Sequence, residues 1–235
     1  AEIDDSGPML NAVIALDPDA VRQARRLDKE RRSGKIRGPL HGVPILLKDN
    51  IEAAGAMPTT AGSLALKDNI TNRDAFLVAR LKAAGAIILG KTNLSEWANI
   101  RSDKSTSGWS AVGGLTRNPH SLAHNTCGSS AGSGAAMAAQ LAAATVGTET
   151  DGSITCPASI NGVVGFKPTL GLVSRRFIVP ISHTQDTAGP ITLTVRDAAL
   201  MLTAMAGTDP EDKATVEADA HKSDYAQALS KDGLR

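Results

Sequence analysis

Aromatic residues are scarce: three Phe, two Trp and one Tyr make up 3% of the 235 residues. With so few flat rings the chain offers no stacking platform for bases, which argues against a single-strand nucleic-acid binder. Charge of one sign is missing too, since 25 Lys and Arg stand against 24 Asp and Glu, a net charge of +1. That balance creates no field to gather nucleic acid or an anionic membrane, so substrate selection has to come from a pocket. No run of about eighteen apolar residues is present to span a bilayer. The opening AEIDDSGPMLNAV has neither an initiator methionine nor the apolar core of a signal peptide. A cytoplasmic protein and a processed secreted one would both read this way, and the compartment stays open. Two cysteines, Cys127 and Cys156, are too few for a disulfide framework and are not spaced as zinc ligands. They are expected to be packed thiols.

What is plentiful is glycine, 22 residues, in a chain that is 42% hydrophobic. This combination suits alanine-rich helices, small-residue contacts and many tight turns. Asp17-Pro18 supplies a cap and a first-turn proline for a helix over 18–33 that ends at Gly34. Val43 to Leu47 is a short apolar run of buried-strand type, and it delivers Lys48 at its end. Asp74 is placed to cap a helix running to Gly85, and Ala86 to Leu89 reads as a second buried strand. A helix is expected over Ser133 to Ala144, strand pieces at Val163–Phe166 and Leu170–Ser174, and a helix capped by Thr194 over 196–206. The tail from Thr208 to Arg235 is polar, with Tyr225, Ala228 and Leu229 hinting at one more helical turn. This alternation predicts an α/β fold: a mixed, twisted sheet with helices on both faces.

Two glycine-rich stretches concentrate the chemistry. Gly128-Ser129-Ser130-Ala131-Gly132-Ser133-Gly134 places adjacent serines in a turn that opens a helix. It lacks the lysine and spacing of a P-loop and the paired glycines of a dinucleotide loop, so a phosphate cradle is disfavoured against a tight packing turn. Gly147-Thr148-Glu149-Thr150-Asp151-Gly152-Ser153-Ile154 presents a serine directly after a glycine. Such a loop can aim several backbone N–H groups at a developing oxyanion. Its pattern is not the Gly-X-Ser-X-Gly elbow of the α/β-hydrolases. A serine nucleophile also needs a base. His41, His120, His124, His183 and His221 all lie in loop-like contexts and read as surface or turn residues. A lysine can serve if burial lowers its pKa enough to leave the amine neutral, and Lys48, after Ile45-Leu46-Leu47, is the candidate.

These pieces closely resemble the amidase signature family. The resemblance is carried by Pro39 to Asp49, Gly90 to Glu96, Cys127 to Gly134, Gly147 to Pro157 and Gly162 to Thr169, in that order along the chain. It implies a triad of Lys48 as base, Ser129 as relay on a cis peptide and Ser153 as nucleophile. Ser130 would stabilise the triad or merely shape the turn. Thr150, Asp151 and Gly152 would form the oxyanion loop with Ser153, Asp151 acting on its shape or facing solvent as an Asx-turn residue. Lys91 is expected to end a strand and make structural hydrogen bonds. No metal or organic cofactor is implied. The substrate partner would be a small-molecule or peptide amide.

Within the family, Lys91 to Asn99, Ser107 to Ser110, Ile154 to Pro157 and Pro180 to Ser182 look most like bacterial peptide amidases, which implies C-terminal peptide amides as substrates. A broad small-amide hydrolase and the glutaminase-type component of a tRNA-dependent amidotransferase are the alternatives. From another class, so is an inactive or binding-only fragment. Family members run to a greater length, and residues 1–235 are expected to be a single, partial domain lacking the C-terminal part of the fold. An open sheet edge would then favour self-association. Arg175-Arg176-Phe177 stands where relatives tend to carry a small turn residue, so that loop is expected to differ.

Overall fold

The computed structural model describes residues 2–230, so the end of the tail read from the sequence, 231–235, lies outside the described residues. In chain order the elements are β1 (Val13–Leu16), α1 (Ala20–Arg32), β2 (Pro44–Lys48), α2 (Phe76–Ala83), β3 (Ile87–Thr92), β4 (Trp109–Ser110), β5 (Gly114–Leu115), α3 (Ala131–Ala138), β6 (Ala144–Glu149), α4 (Thr155–Ile160), β7 (Val164–Gly165), β8 (Thr187–Thr192), α5 (Val195–Met205) and α6 (Ala218–His221). Six strands form one sheet in the order β1-β3-β2-β6-β8-β7, while β4 and β5 pair separately. The central β3, β2 and β6 are parallel, and the flanking strands join antiparallel. This is the mixed α/β sheet expected, with helices on both faces.

The apolar runs explain why the parallel strands sit in the middle. A strand covered on both sides reads as continuous hydrophobic sequence, and Ile45, Leu46 and Leu47 are all fully buried. Alternation sends them to opposite faces. Ile45 and Leu47 join Leu77 and Leu81 of α2 and Met201, Leu202 and Met205 of α5. Leu46 packs against Ala135 and Ala136 of α3 on the other face. Lys48, two residues beyond Leu46, therefore faces α3.

Local capping differs from the sequence reading in instructive ways. Asp17 does hold the start of α1, accepting from the N–H of Asp19 at 2.9 Å and from Gln23 Nε2 at 2.7 Å, but the helix starts two residues after Pro18. Asp74 does not cap α2. Its carboxylate is drawn sideways to Ala54 N–H at 2.8 Å and Lys82 Nζ at 2.6 Å. Thr194 does cap α5, accepting from Asp197 N–H at 3.1 Å. The helix expected over Ser133 to Ala144 is shorter and earlier, because Ala144 is drafted into β6 opposite Ile45 and tertiary pairing overrides helix propensity. Leu170–Ser174 is no strand: Leu172 N–H turns back to Thr169 O at 3.1 Å, and Gly171 adopts φ +86°. Around Tyr225 there is a turn closed by Gln227 N–H to Asp224 O at 3.1 Å.

Candidate active site

Lys48 ends β2 with its side chain fully buried. Burial removes water from the ammonium and lowers its pKa to about 7, against the opposing pull of Glu149 and Asp186. Its nearest polar neighbours are all neutral: Ser129 Oγ at 2.7 Å, Thr148 Oγ1 at 2.8 Å and Thr148 O at 3.3 Å. Ser129 lies between the lysine and Ser153, its Oγ 3.0 Å from Ser153 Oγ. The Gly128–Ser129 peptide is cis, and Ser129 O accepts from Ser95 N–H at 3.0 Å. The three residues singled out in the sequence thus form one unbroken chain of short contacts. Ser129 is fully buried, whereas Ser153, at 9% exposure, reaches the edge of solvent. An amine whose pKa burial brings to about 7 at one end and an accessible hydroxyl at the other is an arrangement able to pass a proton inward while the outer oxygen attacks.

Ser130 ties the two serine loops together. Its N–H donates to Ser153 O at 3.1 Å, its Oγ donates to Thr148 O at 3.0 Å and accepts from Thr148 N–H at 3.2 Å. A Cβ on Gly147 would come within 2.8 Å of that Oγ, so glycine is needed where α3 meets β6. Gly152 takes φ +76°, a left-handed conformation that favours glycine, and its N–H donates to Glu149 Oε1 at 3.0 Å. Gly152 therefore has its donor occupied. Among the described residues the N–H groups of Thr150, Asp151 and Ser153 donate no hydrogen bond. Asp151 is exposed, as its solvent-facing alternative has it, while the N–H groups of Gly152, Ile154 and Thr155 gather on Glu149.

Cys127 and Cys156 correct the expectation of packed thiols: they are disulfide-bonded, with Cα atoms 5.9 Å apart across 29 residues of sequence. Neither spacing nor composition signals this. The fold creates it by laying the Ser129 turn against the loop of Ser153, so that residues two before one serine and three after the other meet. His41 is a turn residue as expected, its N–H closing on Gly38 O at 3.1 Å, but it is buried rather than at the surface. Its Nε2 contacts Leu27 O at 2.9 Å and its Nδ1 accepts from Arg37 N–H at 3.2 Å, a structural role remote from the serines. Lys91 makes the structural bonds expected of it, to Ile51 O at 2.6 Å and Thr59 Oγ1 at 2.8 Å, and faces Asp49 at 3.4 Å.

Beyond Thr150 opens a cleft of about 240 Å³ with Asn50, Arg175, Ile178, Pro180 and Ile181 in its wall. The Arg175-Arg176-Phe177 turn lies beside it. Arg175 pairs with Asp212 at 2.7 Å, Arg176 with Asp209 at 3.0 Å, and Phe177 lies under the Arg73 guanidinium, 4.1 Å from ring centroid. Glu149, Thr148 and Asp186 escaped the sequence reading. The available signal was an acidic residue at the end of a small-residue strand directly before the serine loop.

A family model described as Amidase matches residues 1–235. The peptide amidase from Stenotrophomonas maltophilia is 59% identical, and its crystal structure superposes with a TM-score of 0.95 over 99% of this chain and 48% of that one. A protein of Arabidopsis thaliana described as a probable amidase is 50% identical over 97% of this chain and 45% of its own length. A component of the glutamyl-tRNA(Gln) amidotransferase of Geobacter metallireducens is 42% identical over 99% of this chain and 46% of its own length. The chain spans less than half the length of these relatives.

Proposed function

The chain belongs to the amidase family, and from that premise we propose that it hydrolyses a carboxamide C–N bond through an acyl-enzyme on Ser153, with C-terminal peptide amides as preferred substrates. The observation that supports this best is the relay itself, Lys48 Nζ to Ser129 Oγ at 2.7 Å and on to Ser153 Oγ at 3.0 Å. Neutral Lys48 accepts the proton of Ser129 while Ser129 takes that of Ser153, and Ser153 Oγ bonds to the carboxamide carbon. The carbonyl oxygen becomes an oxyanion facing backbone N–H groups of the Thr150–Ser153 loop. The proton then returns along the same path to the amide nitrogen, the C–N bond breaks and ammonia leaves. Water repeats the sequence on the ester, giving a carboxylic acid and free Ser153. The likeness to the Stenotrophomonas peptide amidase at 59% identity favours peptide amides over glutamine, the reading that the 42% likeness to the amidotransferase component would support.

Incubation with a C-terminally amidated peptide tests this by two readouts, ammonia released and conversion of the peptide to its free acid. Wild type should give both in equal amounts and Ser153→Ala neither. Turnover of glutamine with none of the peptide amide would replace the peptide reading by the glutaminase one. Equal turnover by Ser153→Ala would overturn the nucleophile assignment.

A further inference from the structure

The loop that carries Ser153 leaves the end of β6 and doubles back, and one side chain holds its shape. Glu149, the last residue of β6, is buried. Its Oε1 accepts from Gly152 N–H at 3.0 Å, and its Oε2 accepts from Ile154 N–H at 2.7 Å and Thr155 N–H at 2.9 Å. Thr155 Oγ1 adds a longer contact at 3.4 Å. The residues immediately before and after Ser153 thus turn their N–H groups onto a single carboxylate. Both oxygens act as acceptors, the bonding pattern of an ionised acid. With those donors committed, the N–H groups of Asp151 and Ser153 are left without a partner among the described residues.

We propose that Glu149 is a positioning residue: its carboxylate fixes the Ser153 loop so that the uncommitted N–H groups face the oxyanion, and supplies negative charge to the Lys48 amine. This rests on the nucleophile and base roles given above. Two carboxylates act on Lys48 across the site, Glu149 and Asp186, with Glu149 the stronger. Asp186 is itself held by Thr150 Oγ1 at 2.6 Å and by the N–H groups of Ile181 at 2.8 Å and Ser182 at 2.9 Å. Removing the charge of Glu149 disfavours the protonated lysine further, so the base should become available at lower pH. A residue that only supported the loop would slow the reaction without moving its pH dependence.

The test is the rate at which a fluorophosphonate labels Ser153, mapped by peptide mass and followed from about pH 5 to about pH 9, on either side of the lysine's midpoint. Glu149→Gln keeps the size of the side chain but puts an NH2 against one of the N–H groups. Its plateau rate should fall about 10²-fold, as for a lost oxyanion donor, and its midpoint should move to lower pH. Glu149→Asp keeps the charge and withdraws the oxygens by one methylene, so its rate should fall with the midpoint held. A Glu149→Gln protein with the wild-type midpoint, or with the wild-type rate, overturns the proposal. If that variant shows no cooperative thermal melt, Glu149→Asp decides: slowed labelling at an unmoved midpoint supports the proposal, and undiminished labelling refutes it. Wild type that labels elsewhere than Ser153 removes the functional reading itself, and this inference with it.

Discussion

Two lysines are buried side by side on neighbouring parallel strands, and their surroundings send them in different chemical directions. Lys48 pairs with Thr92, and Leu47 with Lys91, across β2 and β3. Register partners share a face and successive residues alternate, so Lys48 points to the α3 side while Lys91 points to the α2 and α5 side. Burial lowers the pKa of both. Around Lys91, however, stands the Asp49 carboxylate, itself pushed up by burial and drawn back by the lysine and by Thr60. Around Lys48 every atom within hydrogen-bond reach is a hydroxyl or carbonyl oxygen, and the carboxylates that act on it do so from further off. Equal burial with a carboxylate partner makes a structural ion pair. Equal burial without one makes an amine that gives up its proton near pH 7 and can serve as a base.

That contrast can be broken most forcefully at Lys48. Lys48→Met should lower kcat by about 10⁴-fold or more, the scale of loss when one member of a cooperating set is removed, and peptide-amide turnover measures it. The same substitution exposes a thermodynamic cost. Between the lysine's folded pKa and its unfolded value of about 10.4, the unfolded chain binds a proton that the native state does not. Native stability therefore rises with pH across that window. Relative to Lys48→Met, wild type should gain on the order of 5 kcal/mol of stability from below pH 7 to above pH 10, read by urea unfolding at each pH. A difference independent of pH would mean the native lysine is not neutralised.

At Lys91 the effect should lie in stability. Lys91→Met leaves Asp49 buried without its cation and should cost about 3–5 kcal/mol. Adding Asp49→Asn should recover part of that loss, and strict additivity in the double-mutant cycle would deny the pairing. Smallest is the tie between the serine loops. Replacing Cys127 and Cys156 by Ser frees a loop of 29 residues and should cost about 3 kcal/mol, measured by urea unfolding against the oxidised wild type. Unchanged stability would mean that the bond does not restrain the unfolded chain.

The difference between the two lysines also marks how far the residues alone could be read. Lys48 was legible because a charged residue after Ile45-Leu46-Leu47 is unusual, whereas Lys91 shows only as a strand-ending lysine. Which of them faces a carboxylate was not legible. Asp49 adjoins Lys48 in sequence but alternation turns it to the other face, where it meets Lys91. The serines stand out in glycine-rich surroundings, but the roles expected of them came from the family resemblance. Glu149 shows in the sequence only as an acidic residue ending a small-residue strand; that it collects N–H groups depends on a loop path that only the fold defines. The disulfide was hidden for the same reason, because Cys127 and Cys156 meet only when two distant loops are laid together. Helix ends were misread where long-range contacts compete with local preference, as when Asp74 abandons the α2 cap for Lys82 or when β6 claims Ala144.

The central claim, that Lys48 works as a neutral base through Ser129, is tested most directly by kcat/KM for a peptide amide as a function of pH in wild type and Lys48→Arg. The account predicts a wild-type profile that rises with a single midpoint near the lysine's pKa of about 7 and stays high on the alkaline side. It predicts no activity for Lys48→Arg at any pH, since a guanidinium keeps its proton throughout this range. An active Lys48→Arg enzyme that retains the wild-type midpoint would contradict it and place the base elsewhere.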